Sequence, residues 1–466
     1  MIATEQAAFI DEQEIGEILA RGRSHDAVRV HEILATAREL RGLSMDDMAV
    51  LMAVEDPALL EEVFSTARWV KEEIYGNRLV LFAPLYISNL CTNDCAYCAF
   101  RTSNRDVKRR SLSQDEIRRE VEAIEKQGHK RILMLAGESY GIEGLKYILD
   151  SIKTIYDTKV GRGEIRRVNI NMAAMTVDEF REVKAAQIGT YQLFQETYHR
   201  ETYLKMHRSG PKRNYDFHVT AMDRAQQAGI DDVGIGVLFG LYDWRFEMLA
   251  SMQHIRHLEK EFGVGPHTIS MPRIEPAVGS PVAEHPPYQV SDADFLKIVA
   301  IYRLAVPYTG MIMSTREHID VRRETFRLGV SQISAGSRVD PGGYTQSIGD
   351  FNRAQFQVGD TRSTDEVIRD IVEMGFIPSF CTACYRLGRT GADFMDMAKP
   401  GEIKYHCTPN ALSTFAEYLN DYASPETRKV GRDMIQKMLR DMEEGQRCIA
   451  CPLVEQVDLG KRDVFV

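Results

Sequence analysis

The chain has 466 residues, of which 44% are hydrophobic and 27% are charged, and its formal net charge is -10. This composition is typical of a folded globular protein and argues against disorder, and the acidic balance makes nucleic acid an unexpected partner. The sequence contains no apolar run of membrane-spanning length and begins without a signal-peptide pattern, so we expect a cytoplasmic protein with no membrane partner.

Residues 1 to about 75 are predicted to be helical, with Ser44 capping one of the helices. From about residue 79 the pattern alternates between strands and helices, and capping boxes at Ser113 and Thr176 begin two of these helices. The predicted strands cover residues 79–89, 131–136, 168–173, 190–197, 232–239, 267–274, 310–315 and 332–335.

Eight strands, most of them separated by helices, predict an α/β fold of the (β/α)8 TIM-barrel type, with a doubly wound open sheet as the alternative. Beyond about residue 365 the strand signals stop, and the remainder is predicted to be helical and rich in loops. The predicted organisation is a helical N-terminal extension over residues 1–75, the barrel over 76–360, and a helical C-terminal domain over 361–466.

The cysteines occur in three groups, at positions 91, 95 and 98, at 381, 384 and 407, and at 448 and 451. Because cytoplasmic thiols stay reduced, grouped cysteines indicate metal or cluster ligands before disulfides. Cys448 and Cys451 receive no role here, since a surface dithiol, a fortuitous pair and a metal site shared with another chain are all consistent with the sequence.

The first group, Cys91, Cys95 and Cys98, directly follows the first predicted strand and therefore falls at the C-terminal mouth, where barrel enzymes carry their chemistry. Three thiolates can hold three irons of a four-iron cluster and leave the fourth iron open to a small molecule. Zinc is the alternative, but a structural zinc site needs four ligands and no nearby Cys or His supplies the fourth.

This CxxxCxxC motif, with the aromatic residue Tyr97 before its last cysteine, resembles the signature of the radical S-adenosylmethionine (SAM) superfamily. The resemblance implies a radical SAM barrel in which SAM binds the open iron of a [4Fe-4S] cluster and yields a 5′-deoxyadenosyl radical. The resemblance also implies further SAM contacts: Gly137 and Glu138 for the methionine amino group, Asn171 and Glu196 at the same mouth, and Arg208 for the methionine carboxylate. For each of these residues, a purely structural polar role is the alternative.

The second group has the spacing CxxC-x22-C, from Cys381 and Cys384 to Cys407. Three cysteines without a fourth again favour an iron–sulfur cluster with an open iron over zinc completed by His406. This spacing and the segment Cys381-Thr-Ala-Cys384-Tyr-Arg-Leu-Gly-Arg-Thr-Gly resemble the HydG family of tyrosine lyases over nearly the whole chain. The barrel segments His207-Arg-Ser-Gly-Pro-Lys-Arg213 and Ser314-Thr-Arg-Glu317 also resemble the ThiH family.

The resemblance to HydG implies cleavage of the Cα–Cβ bond of L-tyrosine to p-cresol and dehydroglycine. Dehydroglycine would then be converted to carbon monoxide and cyanide at the C-terminal [4Fe-4S] cluster, and an additional labile iron (the five-iron form) would leave as an Fe(CO)2(CN) synthon for the [FeFe]-hydrogenase H-cluster. His267, at the start of the sixth strand, is the implied histidine ligand of that iron. The N-terminal ends of barrel strands lie at the bottom of the barrel. A role for His267 as iron ligand therefore requires two clusters at opposite ends of the barrel, with the barrel interior as a tunnel for dehydroglycine.

For the tyrosine carboxylate we predict Arg316, just beyond the seventh strand, because a guanidinium binds a carboxylate through two parallel hydrogen bonds. Ser314 and Arg273 are weaker candidates, and an ordinary salt bridge is the alternative for each arginine. The expected partners are a low-potential ferredoxin or flavodoxin reductant and other [FeFe]-hydrogenase maturation proteins. The run Lys108-Arg109-Arg110 is interpreted as a solvated face, with ferredoxin docking as the alternative.

Two other functions stay open at this point. A 2-iminoacetate synthase of thiamine synthesis, similar to ThiH, would not need the second cysteine group. A non-enzymatic iron–sulfur carrier would need neither a full barrel nor the Gly137-Glu138 loop, and it would normally ligate its irons fully.

Overall fold

The computed structural model describes residues 9–23, 26–139, 144–346 and 354–466. Runs of aliphatic and β-branched residues form its strands, as expected for strands that are buried on both faces. In chain order the strands are β1 (Arg78–Ser88), β2 (Arg131–Ala136), β3 (Lys159–Val160), β4 (Gly163–Glu164), β5 (Arg167–Asn171), β6 (Tyr191–Gln192), β7 (Val233–Gly236), β8 (Thr268–Ser270), β9 (Gly310–Met313), β10 (Gln332–Ser334) and β11 (Ile377–Ser379).

Eight of these strands form a closed parallel barrel in the order β1, β2, β5, β6, β7, β8, β9 and β10. Closure is made by β10 against β1, with Gln332 opposite Val80 and Ser334 opposite Phe82. The predicted (β/α)8 barrel is therefore confirmed, and the open doubly wound sheet is wrong. Strands β3 and β4 form a separate antiparallel hairpin.

Helices surround the barrel, as the alternating sequence pattern predicted. The predicted capping boxes at Ser113 and Thr176 are both present, and each begins a helix on the outside of the barrel. These helices are α5 (Gln114–Lys126), α6 (Leu145–Asp157), α7 (Val177–Ala185), α8 (Arg200–Met206), α9 (Tyr215–Val219), α10 (Ala221–Gln227), α11 (Trp244–Phe262), α12 (Pro281–Glu284), α13 (Asp292–Ala305) and α14 (Ile319–Leu328).

The N-terminal extension is helical, and it packs on the outer helices α11, α13 and α14. Ser44 and Asp47 form a reciprocal capping box at the start of its third helix. Its helices are α1 (Glu12–Gly22), α2 (Ala27–Ala37), α3 (Met45–Met52) and α4 (Pro57–Tyr75). Among the described residues, no helix combines the length and the apolar character that crossing a bilayer requires.

The C-terminal region closes the opposite end of the barrel. Its helices are α15 (Thr364–Glu373), α16 (Gly391–Ala398), α17 (Ile403–Asp421), α18 (Pro425–Asp441) and α19 (Glu444–Asp458). The expectation that no strand follows residue 365 is wrong, because β11 pairs in parallel with the first residues of β1, from Arg78 to Val80. This strand is only three residues long and contains Pro378, so its pattern is too short to be recognised from the sequence.

Strand β1 thus connects the two cysteine groups. Its C-terminal end leads into the loop with Cys91, Cys95 and Cys98, and its N-terminal end pairs with β11, which is followed directly by Cys381. The two groups therefore lie at opposite ends of the barrel, as the tunnel hypothesis requires.

Candidate active site

The first cysteine group opens on a large cavity at the C-terminal mouth of the barrel. Cys91, Cys95 and Cys98 all line it, and all three are free thiols. Burial raises the pKa of Cys98 to about 11 and the pKa of Cys95 well above its usual range. Thiols in such surroundings ionise when iron coordinates them, so three thiols on one wall without a fourth fit a cluster with an open iron.

The loop that carries these cysteines is held by Arg109. Its guanidinium donates to backbone carbonyls on both sides of the loop, at Asn89, Phe100, Arg101 and Asn104. Arg110 pairs with Glu116 at 2.6 Å, while Lys108 is exposed. The interpretation of this basic run as a solvated face is therefore wrong for Arg109 and Arg110, because a guanidinium can satisfy several carbonyls at once.

The predicted Gly137-Glu138 segment directly follows β2 and packs on the cysteine loop. A side chain at position 137 would place its Cβ 2.2 Å from the Leu90 carbonyl oxygen, so only glycine allows this approach. The Glu138 carboxylate accepts from Asn93 Nδ2 at 2.7 Å, and its backbone oxygen accepts from Thr92 Oγ1 at 2.9 Å. Both Gly137 and Glu138 line the cavity beside the cysteines.

A buried lysine lies between the two predicted carboxylates of this wall. Lys212 Nζ is 2.8 Å from Glu196 Oε1 and 3.8 Å from Glu138 Oε1. Burial alone would lower the pKa of Lys212, but the two carboxylates outweigh it and hold this pKa well above its usual range. Arg208, by contrast, is exposed and does not line the cavity, so the structure does not bring it to the predicted SAM site.

Lys212 was missed by the sequence analysis, although it lies in the segment 207–213 that carries the resemblance to ThiH. Glu247 was missed as well. Glu196 has a left-handed backbone with φ of 69°, which costs free energy for a residue with a side chain. The buried Glu247 carboxylate accepts from the Thr197 hydroxyl and from the Tyr198 backbone N–H, and it thereby fixes the turn that carries Glu196.

Two further predicted residues lie on this side of the site. Asn171, the last residue of β5, lines the cavity. Tyr97 also lines it, and its hydroxyl is 2.9 Å from His207 Nε2. Since His207 Nδ1 is 2.8 Å from the Tyr203 carbonyl oxygen and donates to it, Nε2 accepts and Tyr97 donates.

A second cation, besides Lys212, lines the same cavity. Arg316 lines the cavity together with Ser314, and its guanidinium carbon lies 3.3 Å from the ring centroid of Phe356. Burial lowers the pKa of Arg316. Within the described residues, no acidic side chain forms an ion pair with it. The cavity therefore contains both the three thiols and a guanidinium that forms no ion pair with a described residue.

Arg273, the other arginine predicted for the substrate carboxylate, is already paired. Its guanidinium binds the buried Glu317 carboxylate and lies 2.8 Å from Asp292 Oδ1. It does not line the cavity, although its neighbours Pro272 and Ile274 do. The structure therefore does not bring Arg273 to the site, and Arg273 instead forms an ordinary salt bridge, which was the alternative.

The second cysteine group lines a smaller pocket at the other end of the barrel. Cys381, Cys384 and Cys407 share it with Arg78 and with residues 463–465. A hydrogen bond between Cys384 and Cys407 raises the pKa of Cys384 and lowers the pKa of Cys407. The positive charge of Arg78 also lowers the pKa of Cys407. His406 does not line this pocket. Nowhere in the described ranges do three His, Cys, Asp or Glu side chains converge on the position of a single ion.

His267 is buried at the same end of the barrel. Its ring lies 4.5 Å from that of Phe394, a residue of α16 that packs in one cluster with Cys384 and Cys407. Nδ1 is 3.5 Å from Asp232 Oδ1 and makes no hydrogen bond with a described residue. Burial lowers the pKa of His267 to about 4, so the ring is neutral at neutral pH and retains a lone pair for a metal.

The third cysteine pair belongs to neither site. Cys448 is exposed and Cys451 is half-buried, and both lie on α19. Neither lines either of the two pockets.

Comparisons with known proteins agree with this layout. Residues 85–252 match the model of the radical SAM superfamily, and residues 270–377 match that of the biotin and thiamin synthesis associated domain. The 2-iminoacetate synthase of Salmonella typhimurium (strain LT2) is 30% identical over 337 residues, which are 72% of this chain and 86% of that protein. Neither family model reaches Cys381.

Two solved structures cover more of the chain. A crystal structure of HydG, described as a maturase of the [FeFe]-hydrogenase, is 50% identical with a TM-score of 0.95, and the match covers 99% of this chain and 100% of that one. The FeFe-hydrogenase maturase HydG from Carboxydothermus hydrogenoformans is 40% identical with a TM-score of 0.84, and the match covers 96% and 97% of the two chains. Both matches take in nearly the whole chain, compared with the 72% that the match with the 2-iminoacetate synthase covers.

Proposed function

The chain belongs to the HydG family of radical SAM maturases of the [FeFe]-hydrogenase H-cluster, and from this premise we propose that it is a tyrosine lyase with two separate sites. The first site cleaves the Cα–Cβ bond of L-tyrosine to p-cresol and dehydroglycine. The second converts dehydroglycine to carbon monoxide and cyanide for an Fe(CO)2(CN) synthon. The observation that carries this proposal is the Arg316 guanidinium, which forms no ion pair with a described residue and lines the same cavity as the three thiols.

In the first site, Cys91, Cys95 and Cys98 would hold the [4Fe-4S] cluster of the radical SAM family. When bound, the cluster and SAM supply a 5′-deoxyadenosyl radical. Gly137 permits the close approach of β2 to the cysteine loop, and Glu138 offers its carboxylate and backbone to SAM. Asn171 and Glu196 are the further proposed SAM contacts.

Lys212 takes part in this site by fixing carboxylates rather than by binding iron. Because its ammonium is buried between Glu196 and Glu138, it holds both side chains in one orientation toward the cavity. It is also the cation that this wall contributes in place of the exposed Arg208. Glu247 does not line the cavity, but its hydrogen bond with the Tyr198 N–H fixes the turn that carries Glu196.

Arg316 would bind the tyrosine carboxylate. A buried guanidinium without a partner is costly, and a carboxylate that binds it through two hydrogen bonds relieves that cost. Ser314 is adjacent and lines the same cavity, so its hydroxyl is the second proposed contact. Phe356 covers one face of the guanidinium and restricts the carboxylate to its edge. Tyrosine held in this way would lie in the cavity that the three thiols line, where the radical that SAM supplies would abstract hydrogen away from bulk water.

In the second site, Cys381, Cys384 and Cys407 would hold a second [4Fe-4S] cluster, and His267 would bind the additional labile iron. When bound, these irons supply the centre at which carbon monoxide and cyanide are formed and captured. His267 suits this role because its buried ring is neutral, and Asp232 lies close enough to orient it. The barrel interior is the proposed route of dehydroglycine between the two sites.

The experiment that tests this function is an anaerobic incubation of the reconstituted protein with SAM, tyrosine and dithionite, followed by assays for p-cresol, carbon monoxide and cyanide. We expect all three products. A low-potential ferredoxin or flavodoxin is the proposed reductant in the cytoplasm, and the other [FeFe]-hydrogenase maturation proteins are the proposed partners. If p-cresol is absent while SAM is cleaved, tyrosine is not the substrate.

A 2-iminoacetate synthase is the second candidate, and the 30% identity with the Salmonella enzyme favours it. Such an enzyme would give p-cresol without carbon monoxide in the same experiment. The second cysteine pocket argues against it, since Cys381, Cys384 and Cys407 would then have no function.

A further inference from the structure

Two basic loops contact the loop that carries the first cysteine group. Residues 101–110 contain five arginines and lysines and one acidic residue, and residues 204–214 contain four arginines and lysines and no acidic residue. The whole chain has 58 basic and 68 acidic residues, so positive charge is concentrated here in an otherwise acidic protein. A local concentration of charge steers an oppositely charged partner to one part of the surface.

Both basic loops are hydrogen-bonded to the cysteine loop itself. The Thr102 N–H donates to the Asn93 carbonyl oxygen at 2.8 Å, and the Arg208 N–H donates to the Asp94 carbonyl oxygen at 3.1 Å. The Asp94 carboxylate also accepts from the hydroxyl of Ser103 in the first basic loop. Positions 93 and 94 lie between the first two cysteines of the group, so both basic loops meet at the cluster-binding segment.

The cysteine loop is thinly covered at this place. Thr92, the neighbour of Cys91, is exposed. Cys95 pairs with His207 in an isolated antiparallel bridge, and the residue that follows His207 is the exposed Arg208. A partner that contacts Arg208 is therefore one paired backbone segment away from Cys95.

Three cations of this surface are free to meet a partner. Arg105, Lys205 and Arg208 are exposed, and none of their side chains forms an ion pair or a hydrogen bond with a described residue. Five other basic side chains of the two loops bind carbonyls or carboxylates of the chain itself, namely Arg101, Arg109, Arg110, Lys212 and Arg213.

An exposed apolar side chain accompanies these cations. Leu204 is 38% exposed and directly precedes Lys205. It is also connected to Arg208, since the Arg213 guanidinium donates to the carbonyl oxygens of both residues. A small apolar contact with charged residues around it is suited to a short-lived encounter, as between electron-transfer proteins, rather than to a permanent complex.

We propose that Arg105, Leu204, Lys205 and Arg208 form a docking surface for an acidic one-electron carrier protein of the ferredoxin type. The inference rests on the proposed function, in which the first site uses one electron for each SAM that is cleaved. The reduced carrier loses this electron and the oxidised cluster gains it. The electron then breaks the S–C5′ bond of SAM, which gives methionine and the 5′-deoxyadenosyl radical. Because the chain has a net charge of -10, an acidic carrier is repelled elsewhere and attracted to this surface.

Docking is tested by rapid mixing of a prereduced two-[4Fe-4S] ferredoxin with the reconstituted full-length protein and SAM. Ferredoxin oxidation and 5′-deoxyadenosine are the two readouts. The variant Lys205→Glu/Arg208→Glu should slow both by at least about tenfold at low ionic strength. Added salt should slow the wild type but not this variant, since salt screens an attraction that the variant lacks. With dithionite, which needs no docking surface, the variant should form 5′-deoxyadenosine at the wild-type rate.

Two further variants separate docking from other effects of charge. Lys429→Glu/Lys437→Glu is the matched control, because both lysines are exposed on α18 in the C-terminal region and undergo the same change in charge. This control should keep the wild-type rate with ferredoxin, as should Lys205→Arg/Arg208→Lys, which retains both positive charges.

Three outcomes would overturn the docking surface. They are an unchanged ferredoxin rate in Lys205→Glu/Arg208→Glu, an equal loss of rate in the α18 control, and a loss of 5′-deoxyadenosine with dithionite as well. The last outcome would assign residues 205–208 to the first site itself. Failure of the proposed function is distinguishable from all three: a wild type that forms 5′-deoxyadenosine with ferredoxin but no p-cresol is not a tyrosine lyase, while its docking surface stands.

Discussion

The two cysteine sites differ in sequence, in charge and in enclosure. The upper cysteines lie within eight positions of one loop, whereas the lower ones lie in two segments, with 22 residues between Cys384 and Cys407. The upper cavity is wide, and the carboxylates of Glu138 and Glu196 line it together with the thiols. Lys212 lies between these two carboxylates. The lower pocket is small and is lined by one guanidinium, that of Arg78, and one carboxylate, that of Asp463, and the charges of Arg78 and Arg389 lower the pKa of Cys407.

This difference indicates a division of labour. A wide cavity with both a cation and carboxylates suits the exchange of two large zwitterionic molecules, SAM and tyrosine. A small pocket beside Arg78 and Arg131 favours thiolates and small anions such as cyanide or a carboxylate. The comparison is tested by variants that separate the two sites.

The largest effect is expected from the upper cysteines. Replacement of Cys91, Cys95 or Cys98 by Ala should abolish 5′-deoxyadenosine and p-cresol, because each removes one of three thiolates with no substitute nearby. The products are measured by liquid chromatography, and Cys448→Ala is the matched control, with full activity expected. Iron analysis should give about eight to nine irons per chain for the reconstituted wild type. Robust deoxyadenosine production by an upper-cysteine variant would contradict the assignment.

The lower cysteines should have the opposite phenotype. Cys381→Ser, Cys384→Ser and Cys407→Ser should still form p-cresol, since tyrosine cleavage needs only the upper site, but they should lose carbon monoxide. His267→Ala should resemble them in a milder form, because the additional iron loses one ligand. Headspace analysis for carbon monoxide, together with p-cresol quantification, checks both statements. Loss of p-cresol together with carbon monoxide would show that the two sites do not act separately.

The next effect concerns substrate binding at the upper site. Arg316→Met should weaken tyrosine binding by more than tenfold, since a carboxylate that loses its buried partner costs roughly 2 to 5 kcal/mol. SAM binding should change little. Arg208→Met is the control, and because Arg208 is exposed and outside the cavity, both affinities should stay unchanged. A wild-type tyrosine affinity in Arg316→Met would move the carboxylate site to another residue.

Local patterns account for what could be predicted from the sequence. The position of the upper cysteine loop at the barrel mouth was predictable, because three cysteines within one loop need only the preceding strand to position them. The barrel followed from strands and capping boxes, which are local signals as well. Side-chain direction was not predictable in this way: Arg273 turns to Glu317, which lies 44 positions away, and Arg109 turns back to the loop carbonyls.

Residues that act through distant partners were missed for the same reason. Lys212 is recognisable only once Glu138 and Glu196, from the loops that follow β2 and β6, are brought beside it. The three-residue β11 forms because β1 offers it an edge, and not because its own sequence requires a strand. Long-range pairing, rather than periodicity, decides such positions.

The smallest expected effect concerns Glu247, which lies outside the upper cavity and fixes the turn that carries Glu196. Burial raises the pKa of Glu247 to about 8, although its hydrogen bonds with Thr197 and Tyr198 lower it. Because the folded state holds this proton more tightly than the unfolded chain, the contribution of Glu247 to stability is complete below about pH 4.5 and is lost as the pH rises toward 8. Glu247→Gln cannot ionise, so its stability relative to the wild type should increase as the pH rises from 5 to 8.

This prediction is checked by the difference between the two melting temperatures at several pH values, which cancels the titration of groups that both proteins share. The free-energy difference should change by at most about 1.4 kcal/mol per pH unit, and the corresponding shift in melting temperature is a few degrees. Glutamine can still accept from the Tyr198 N–H, so the turn at Glu196 should persist and SAM affinity should stay within about twofold. A pH-independent difference would show that Glu247 is ionised in the folded protein, and that the left-handed turn at Glu196 is held by a buried charge.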